Sequence, residues 1–387
     1  MDWRPWLSRW SAEWVQSTKP ADLDPRVLRD RWLGFAPASA EAVAGAEARL
    51  GRKLPPSYRE FLLTTDGWRE AGPSVRRMRD TANLGWLRDL EPLWEEWEEL
   101  SEGEPNPSEG NKFSRGLLIS LEADVGILFL DPGDVDEAGE WAAYSLFSWL
   151  AAPPAKFASF AALMEDLYAD FHRLHRPEGE TRDAWDAKVE QARLDALAGE
   201  VDSAAAALKQ AEKFGRDRAT VLMVQLDLFL GRDYPAGLSL SRLLHSEFAR
   251  DGFFADPLFT EEFMPWLLAE HARATTPYHR STLRTAMMGE SPEIQLAVGE
   301  GQARLRRDGP RPRFGNPEFD LRVREALDQH PDDPEALWRA VRAALVHWRP
   351  RSADHVAPIA LLADPVLAAS FTGERGRELL AQPRGDQ

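Results

Sequence analysis

Apolar residues between positions 39 and 68 recur at helical spacing in two short stretches, with a glycine- and proline-rich corner between them. Ser39 is suited to cap the first helix, and Gly51 can adopt the left-handed conformation that ends it. Pro55 and Pro56 suit the first turn of the second helix, where a missing N–H costs nothing. The predicted buried positions are Val43, Ala46 and Leu50 in the first helix, and Leu54, Tyr58, Phe61 and Leu62 in the second.

Beyond residue 116 the apolar pattern changes to short strand-like runs separated by turn residues. The predicted strands are Leu117–Ser120, Ile127–Leu130 and a third opened by Gly139–Trp141, with turns at Glu122–Gly126 and Asp131–Gly133. Apolar residues then return to helical spacing from Phe160 to Phe171. Helices combined with short strands make the predicted class of this region α+β.

The N-terminus carries four tryptophans on one face of a predicted helix. Trp3, Trp6, Trp10 and Trp14 are spaced i, i+3, i+7 and i+11. Aromatic residues at this spacing usually belong to a core, so we expect the stripe to pack on the domain that follows. An exposed partner-binding groove is the alternative.

After about residue 176 only helical periods remain. Thr181–Ala198, Ser203–Lys213 and Arg218–Leu230 are predicted helices whose spacing resembles tetratricopeptide-type repeats, although the repeat signature is incomplete. Ala255–Phe259 is echoed by Ala363–Leu367, which suggests two related helical units. The basic stretch Arg304–Arg313 between these two segments is most simply a loop. A nucleic-acid-binding patch is the alternative, which the acidic surroundings disfavour.

The expected organisation is therefore a helical segment, an α+β domain and an all-helical region. The predicted boundaries are 1–35 for the tryptophan-rich segment, 36–175 for the α+β domain and 176–387 for the helical region, with units at about 182–273 and 274–387.

The helix–corner–helix segment carries a recognisable combination of residues. It consists of Glu47, Leu50-Gly51, Leu54-Pro55, Tyr58, Phe61-Leu62 and Asp66-Gly67-Trp68. This combination resembles the opening signature of the SUKH superfamily of Smi/Knr-type domains, and the resemblance covers about residues 36–175. It implies that the two helices lead into a small antiparallel sheet. It also implies a binding protein: many bacterial members resemble immunity proteins that block a toxin, and fungal members are partner-binding regulators. The motif positions are packing positions, so the resemblance implies no catalytic residue.

Composition and charge narrow the function further. The chain has 387 residues, no cysteine and a net charge of −17. The lack of cysteine removes disulfides and thiolate chemistry. No apolar run reaches the roughly 20 residues that a membrane span needs, and the first residues do not form a signal peptide, so the expected location is cytoplasmic. Duplex binding needs clustered Lys and Arg, which the acidic balance disfavours.

The negative charge is concentrated in one window. Residues 89–140 hold 16 Asp and Glu against Lys112 and Arg115, which gives −14 of the total −17. A basic protein partner is favoured on electrostatic grounds, and a merely solvated acidic loop is the alternative. The predicted partner-binding residues are Glu91, Trp94, Glu95, Glu96, Trp97, Glu98, Glu99, Glu102, Asp131, Asp134 and Glu140.

Few sequence patterns in this chain indicate catalysis or metal binding. His172 and His175 lie three residues apart with Asp170 near them, but no metal-binding motif accompanies them. No phosphate-binding glycine loop or nucleophile elbow is present. We therefore expect no cofactor, no metal and no enzymatic activity. The expected function is an immunity-type inhibitor that neutralises a bacterial toxin by binding, and the alternative is a regulator or scaffold that binds host proteins through the SUKH-like and helical surfaces.

Overall fold

The computed structural model describes residues 1–72, 74–95, 111–150, 152–244, 252–273, 281–287, 292–308 and 312–384. The chain divides into two compact units. The first comprises Met1–Asp183 with Lys213–Gly215, and the second comprises Ala184–Glu212 with Arg216–Gln387.

The first unit combines seven α-helices with seven strands among its described residues up to His175. The helices are α1 Trp3–Ser17, α2 Pro25–Asp30, α3 Ala40–Leu50, α4 Pro56–Thr64, α5 Leu87–Leu90, α6 Lys112–Arg115 and α7 Phe160–His175. The strands are β1 Val75–Met78, β2 Gly85–Trp86, β3 Leu117–Leu118, β4 Ser120–Ala123, β5 Gly126–Val135, β6 Trp141–Phe147 and β7 Ala155–Phe157. Short 3₁₀ helices lie at Pro20–Asp22, Pro92–Glu95 and Ser148–Leu150.

The predicted helix corner is confirmed. The Ser39 hydroxyl accepts a hydrogen bond from the Ala42 amide at 3.1 Å and caps α3, while Gly51 ends it at φ +69°. The buried Glu47 carboxylate fixes the corner by accepting from the Leu54 amide at 3.1 Å and pairing with Lys53 at 2.6 Å. The predicted apolar positions of both helices are buried.

Five antiparallel strands form the main sheet in the order β2-β3-β5-β6-β7, and β1 pairs with β4 in a second, two-stranded sheet. The strands β1, β2 and β7 were not predicted, and the single predicted strand Leu117–Ser120 is divided between β3 and β4. The predicted turn at Asp131–Gly133 is wrong: this segment is a bulge inside β5, where the register with β6 shifts. The reversal comes later, where the Gly139 amide bonds the Asp136 carbonyl.

The main sheet is buried on both faces, which explains its nearly continuous apolar strands. Side chains alternate along β5 and β6, so one set faces the helices α1, α3, α4 and α7, and the other set faces a smaller cluster. The helix-facing set is Leu128, Leu130, Trp141 and Ala143, and the opposite set is Ile127, Phe129, Ala142, Tyr144 and Leu146.

The tryptophan stripe of α1 packs on this domain, as predicted. Trp3, Trp10 and Trp14 are buried, and Trp3 meets Phe61 with ring centroids 5.4 Å apart. Trp14 stacks on Phe171 at 4.8 Å. The stripe is therefore part of the core and does not form a partner groove.

Only helices occur among the described residues after 176, which confirms the predicted all-helical class. The α-helices are α8 Glu180–Ala198, α9 Val201–Lys213, α10 Asp217–Phe229, α11 Asp233–Leu243, α12 Met264–Arg273, α13 Thr282–Met287, α14 Pro292–Asp308, α15 Pro317–Gln329, α16 Pro334–Ala344, α17 Pro365–Ser370 and α18 Gly373–Leu380. A π-helix covers Leu258–Phe263, and 3₁₀ helices cover Phe253–Ala255, Leu345–His347 and Ile359–Ala363. The predicted loop at Arg304–Arg313 is wrong for Arg304–Asp308, which continue α14, because arginine favours helices and the helix breakers come only after Asp308.

The two similar segments, Ala255–Phe259 and Ala363–Leu367, each contain a helix cap of the same kind. The Asp256 carboxylate accepts from the Leu258 amide at 2.8 Å, and Asp364 accepts from the Val366 amide at 2.9 Å. Each aspartate therefore starts a helical turn, but a π-helix follows the first and an α-helix follows the second. Across the described ranges, no helix is long and apolar enough to cross a membrane.

Candidate partner-binding surface

Elements from the acidic window, residues 89–140, pack on the second face of the main sheet, which is the face that carries Phe129 and Tyr144. Leu87 of α5 and Phe113 of α6 are buried against this face, and Trp94 packs on it while half-buried. The elements α5, Pro92–Glu95 and α6 contact one another there. Pro92–Glu95 and α6 therefore lie at the same face of the sheet.

Both of these elements are held by local hydrogen bonds. The Asn111 side-chain carbonyl accepts from the amides of Phe113 and Ser114 at 2.8 and 3.0 Å and caps α6. On the other side, the Trp94 indole N–H donates to Glu91 Oε2 at 2.9 Å. This bond orients Glu91 and Trp94 together, so these two predicted site residues are neighbours.

Glu95 ends the 3₁₀ helix Pro92–Glu95, and Leu93 in the same turn is 74% exposed. An exposed leucine beside acidic side chains is a feature that a partner could cover. The predicted site residues Glu96, Trp97, Glu98, Glu99 and Glu102 lie outside the described residues.

Asp131 is turned inward, since only 1% of the residue is exposed. Its two carboxylate oxygens accept from Arg115 Nε at 2.6 Å and Nη2 at 2.7 Å, and the Gly133 amide donates to Oδ1 at 2.8 Å. This bidentate pair fastens α6 to the bulge in β5. The carboxylate is thus occupied within the domain.

Asp134 and Glu140 also have internal partners. Asp134 pairs with Lys156 of β7 at 2.5 Å. Glu140 accepts from the amide and the hydroxyl of Ser57 at 2.8 and 2.6 Å, which neutralises the positive N-terminal end of α4. Burial, reinforced by the nearby Asp134 carboxylate, raises the pKa of the Tyr144 hydroxyl, so this phenol stays neutral at pH 7.

An exposed apolar patch at one end of the β5–β6 pair was not found from the sequence. Val125 and Trp149 are 63% and 59% exposed, and Leu150, next to Trp149 in the chain, is also exposed. Val125 has φ +45°, a conformation that is unfavourable for a β-branched residue. The only available signal was the apolar run from Leu146 to Leu150, which reads equally well as the end of a strand.

The two histidines considered for metal binding differ in burial, because His172 lies in the core and His175 is exposed. His172 Nε2 lies 2.9 Å from Glu13 Oε2, and Tyr168 donates its hydroxyl to the same oxygen. The His175 ring lies 4.9 Å from Trp14, and partial burial lowers the pKa of His175. The described residues contain no group of three or more His, Cys, Asp or Glu arranged to hold a metal ion.

Comparison with known families agrees with this fold. Residues 37–166 match the SMI1 / KNR4 family (SUKH-1), so this third of the chain is a SUKH-1 domain. None of the curated proteins and none of the solved structures matches the chain. The SUKH family is associated with immunity proteins.

Proposed function

We propose that this chain is an immunity-type inhibitor that neutralises a bacterial toxin by binding to it. The SUKH-1 domain carries the proposal, because its family is associated with immunity proteins. The signature residues of that domain, such as Tyr58 and Phe61, are buried packing positions, which fits a protein that acts through its surface.

The partner we infer is a basic toxin domain. Residues 89–140 contribute −14 of the chain's −17, and solubility alone does not require the charge to be concentrated. A basic active cleft facing this segment would be occluded sterically. Electrostatic attraction would raise the association rate more than the final affinity.

The contact surface we propose centres on Glu91, Trp94, Glu95 and the acidic segment that follows. Trp94 and the exposed Leu93 supply apolar contact area beside the carboxylates, and interface anchors are often aromatic. Asp131 and Glu140 contribute indirectly, because their carboxylates hold α6 and α4 in place.

The test looks for a toxin among the proteins encoded beside this chain's gene and co-expresses that toxin with the chain. We expect the chain to restore growth of cells that produce the toxin, and the purified proteins to form a tight 1:1 complex in titration calorimetry. A variant with Glu95, Glu96, Glu98 and Glu99 changed to Lys should protect less well at equal expression.

Failure of protection, with no complex at micromolar concentration, would contradict the inhibitor function. Several weak host partners that bind the helical region 176–387 would instead support the regulator or scaffold alternative. Cross-linking of the full chain, followed by peptide mapping, locates the contacts and distinguishes the inhibitor function from the regulator or scaffold function.

A further inference from the structure

The second unit contains a cleft of about 450 Å³, and all of its lining residues belong to that unit. It lies between α12 and α14, with the π-helix Leu258–Phe263 and the segment at Pro312 forming further walls. Its volume falls within the range of about 300–1,000 Å³ that is typical of small-molecule sites.

The floor of the cleft is apolar. Met264 and Leu268 of α12 face Leu305 of α14 across it. Gly301 allows the two helices to approach, because a Cβ at this position would lie 2.6 Å from Met264 Cγ. The floor therefore provides an apolar surface on which the apolar part of a ligand can pack.

The rim is cationic, although the chain as a whole is strongly acidic. Arg304 and Arg307 lie three residues apart on α14 and share a face, and Arg313 contributes from the opposite wall. The one acidic side chain in the lining, Glu261, is already ion-paired with Arg351. Among the described lining residues, arginines therefore outnumber acidic side chains.

A buried brace fixes these walls in place. Arg351 donates to Glu262 at 2.6 Å, to Glu261, and to the Arg313 carbonyl at 3.0 Å, so it joins the π-helix to the Arg313 wall. Glu262 is fully buried and also accepts from the Ala360 amide at 2.8 Å. Walls that are held before a ligand arrives lower the cost of binding, and π-helical turns occur frequently at functional sites.

We propose that this cleft binds a small amphipathic anion, that is, a carboxylate or phosphate head on an apolar body. The head lies between Arg304 and Arg313, whose guanidinium groups match the geometry of such anions. The body lies over Met264, Leu268 and Leu305. A free acid and an anionic membrane lipid share this chemistry, and the limited volume of about 450 Å³ favours the smaller free acid.

The test uses the full chain and sodium decanoate below its micelle concentration, measured by titration calorimetry, with decanol as the uncharged probe. Wild-type chain should bind one decanoate, and decanol at least roughly tenfold more weakly, since a charge-assisted bond is lost. Arg304→Gln/Arg313→Gln should weaken decanoate binding by a similar factor. Ala272→Trp, at an exposed lining position, should fill the cleft and abolish binding.

The matched control is Arg322→Gln/Arg339→Gln, which removes two exposed arginines of the same unit away from the cleft and should leave decanoate binding unchanged. Equal affinity for decanoate and decanol would overturn the proposal, as would unchanged decanoate binding in Arg304→Gln/Arg313→Gln. Binding to phosphatidylglycerol vesicles without binding to decanoate would also overturn it, since it would indicate a membrane surface instead of a cleft.

Discussion

Replacing Glu13 by leucine should strongly destabilise the first unit. Glu13 Oε2 is the shared acceptor for the Tyr168 hydroxyl and for His172 Nε2, and all three side chains are buried. Leucine is similar in size but accepts no hydrogen bond. A buried hydrogen bond to a charged group contributes about 1.5–3 kcal/mol, and Glu13→Leu removes two of them. Because Tyr168 keeps the Thr181 hydroxyl at 2.9 Å as a partner, we expect a total cost of about 3 kcal/mol.

The cost should depend on pH. Burial alone raises the pKa of Glu13, but the hydrogen bonds from His172 and Tyr168 outweigh it, and the pKa lies below its ordinary value of 4.5. A carboxylate with a lowered folded pKa stabilises above its unfolded pKa, and the contribution disappears as the pH falls through the folded value. The difference between wild type and Glu13→Leu should therefore be complete at pH 7 and narrow below pH 4.5.

Urea unfolding followed by tryptophan fluorescence measures this difference, because 11 of the 15 tryptophans precede residue 184 and report mainly on the first unit. Glu165→Leu, at an exposed position of α7, is the matched control and should change the free energy of unfolding by less than about 0.5 kcal/mol. A cost below about 1 kcal/mol for Glu13→Leu at pH 7 would refute the reasoning, since an orphaned buried donor alone costs that much.

Two further substitutions separate packing from partner binding. Leu62→Ala should cost about 2–5 kcal/mol in urea unfolding, because it empties a fully buried site, whereas the exposed Leu28→Ala should cost little. Asp131→Asn weakens the contacts to Arg115 and Gly133 and should lower the free energy of unfolding by about 1–3 kcal/mol. It should not slow association with the partner. Slower association at unchanged stability would instead place Asp131 in the interface.

The helix corner was predictable because its signals are local. Ser39, Gly51 and Pro55 act on their own turns, and helical spacing identifies the buried face without reference to the rest of the chain. The strands β1, β2 and β7 have two to four residues, which is too short for an alternation of apolar and polar positions to show.

The Asp131–Gly133 bulge was mistaken for a turn because proline and glycine favour both. What distinguishes them is the pairing of β5 with β6, which continues to Val135, together with the Arg115 side chain. These are tertiary contacts that local sequence does not reveal.

The candidate surface was predicted from the density of negative charge, with Trp94 and Trp97 as aromatic anchors. All acidic residues of the window count equally in the sequence, but the structure gives several of them internal partners. Glu140 bonds Ser57, which is 83 residues away in the chain, and Asp134 bonds Lys156. Sequence reasoning had no means of finding these pairs, so it could not separate carboxylates that support the fold from those available to a partner.

The most direct test of the proposed docking surface is the association rate of the chain with its toxin, measured by stopped flow over a range of salt concentrations. Changing Glu95, Glu96, Glu98 and Glu99 to Lys should slow association roughly 3- to 10-fold at low salt and flatten its salt dependence. The control that changes the exposed Asp2, Asp22, Glu60 and Glu165 to Lys alters the net charge equally and should keep most of the wild-type rate. An unchanged rate across all salt concentrations in the first variant would contradict the account and leave the acidic segment a solvated loop.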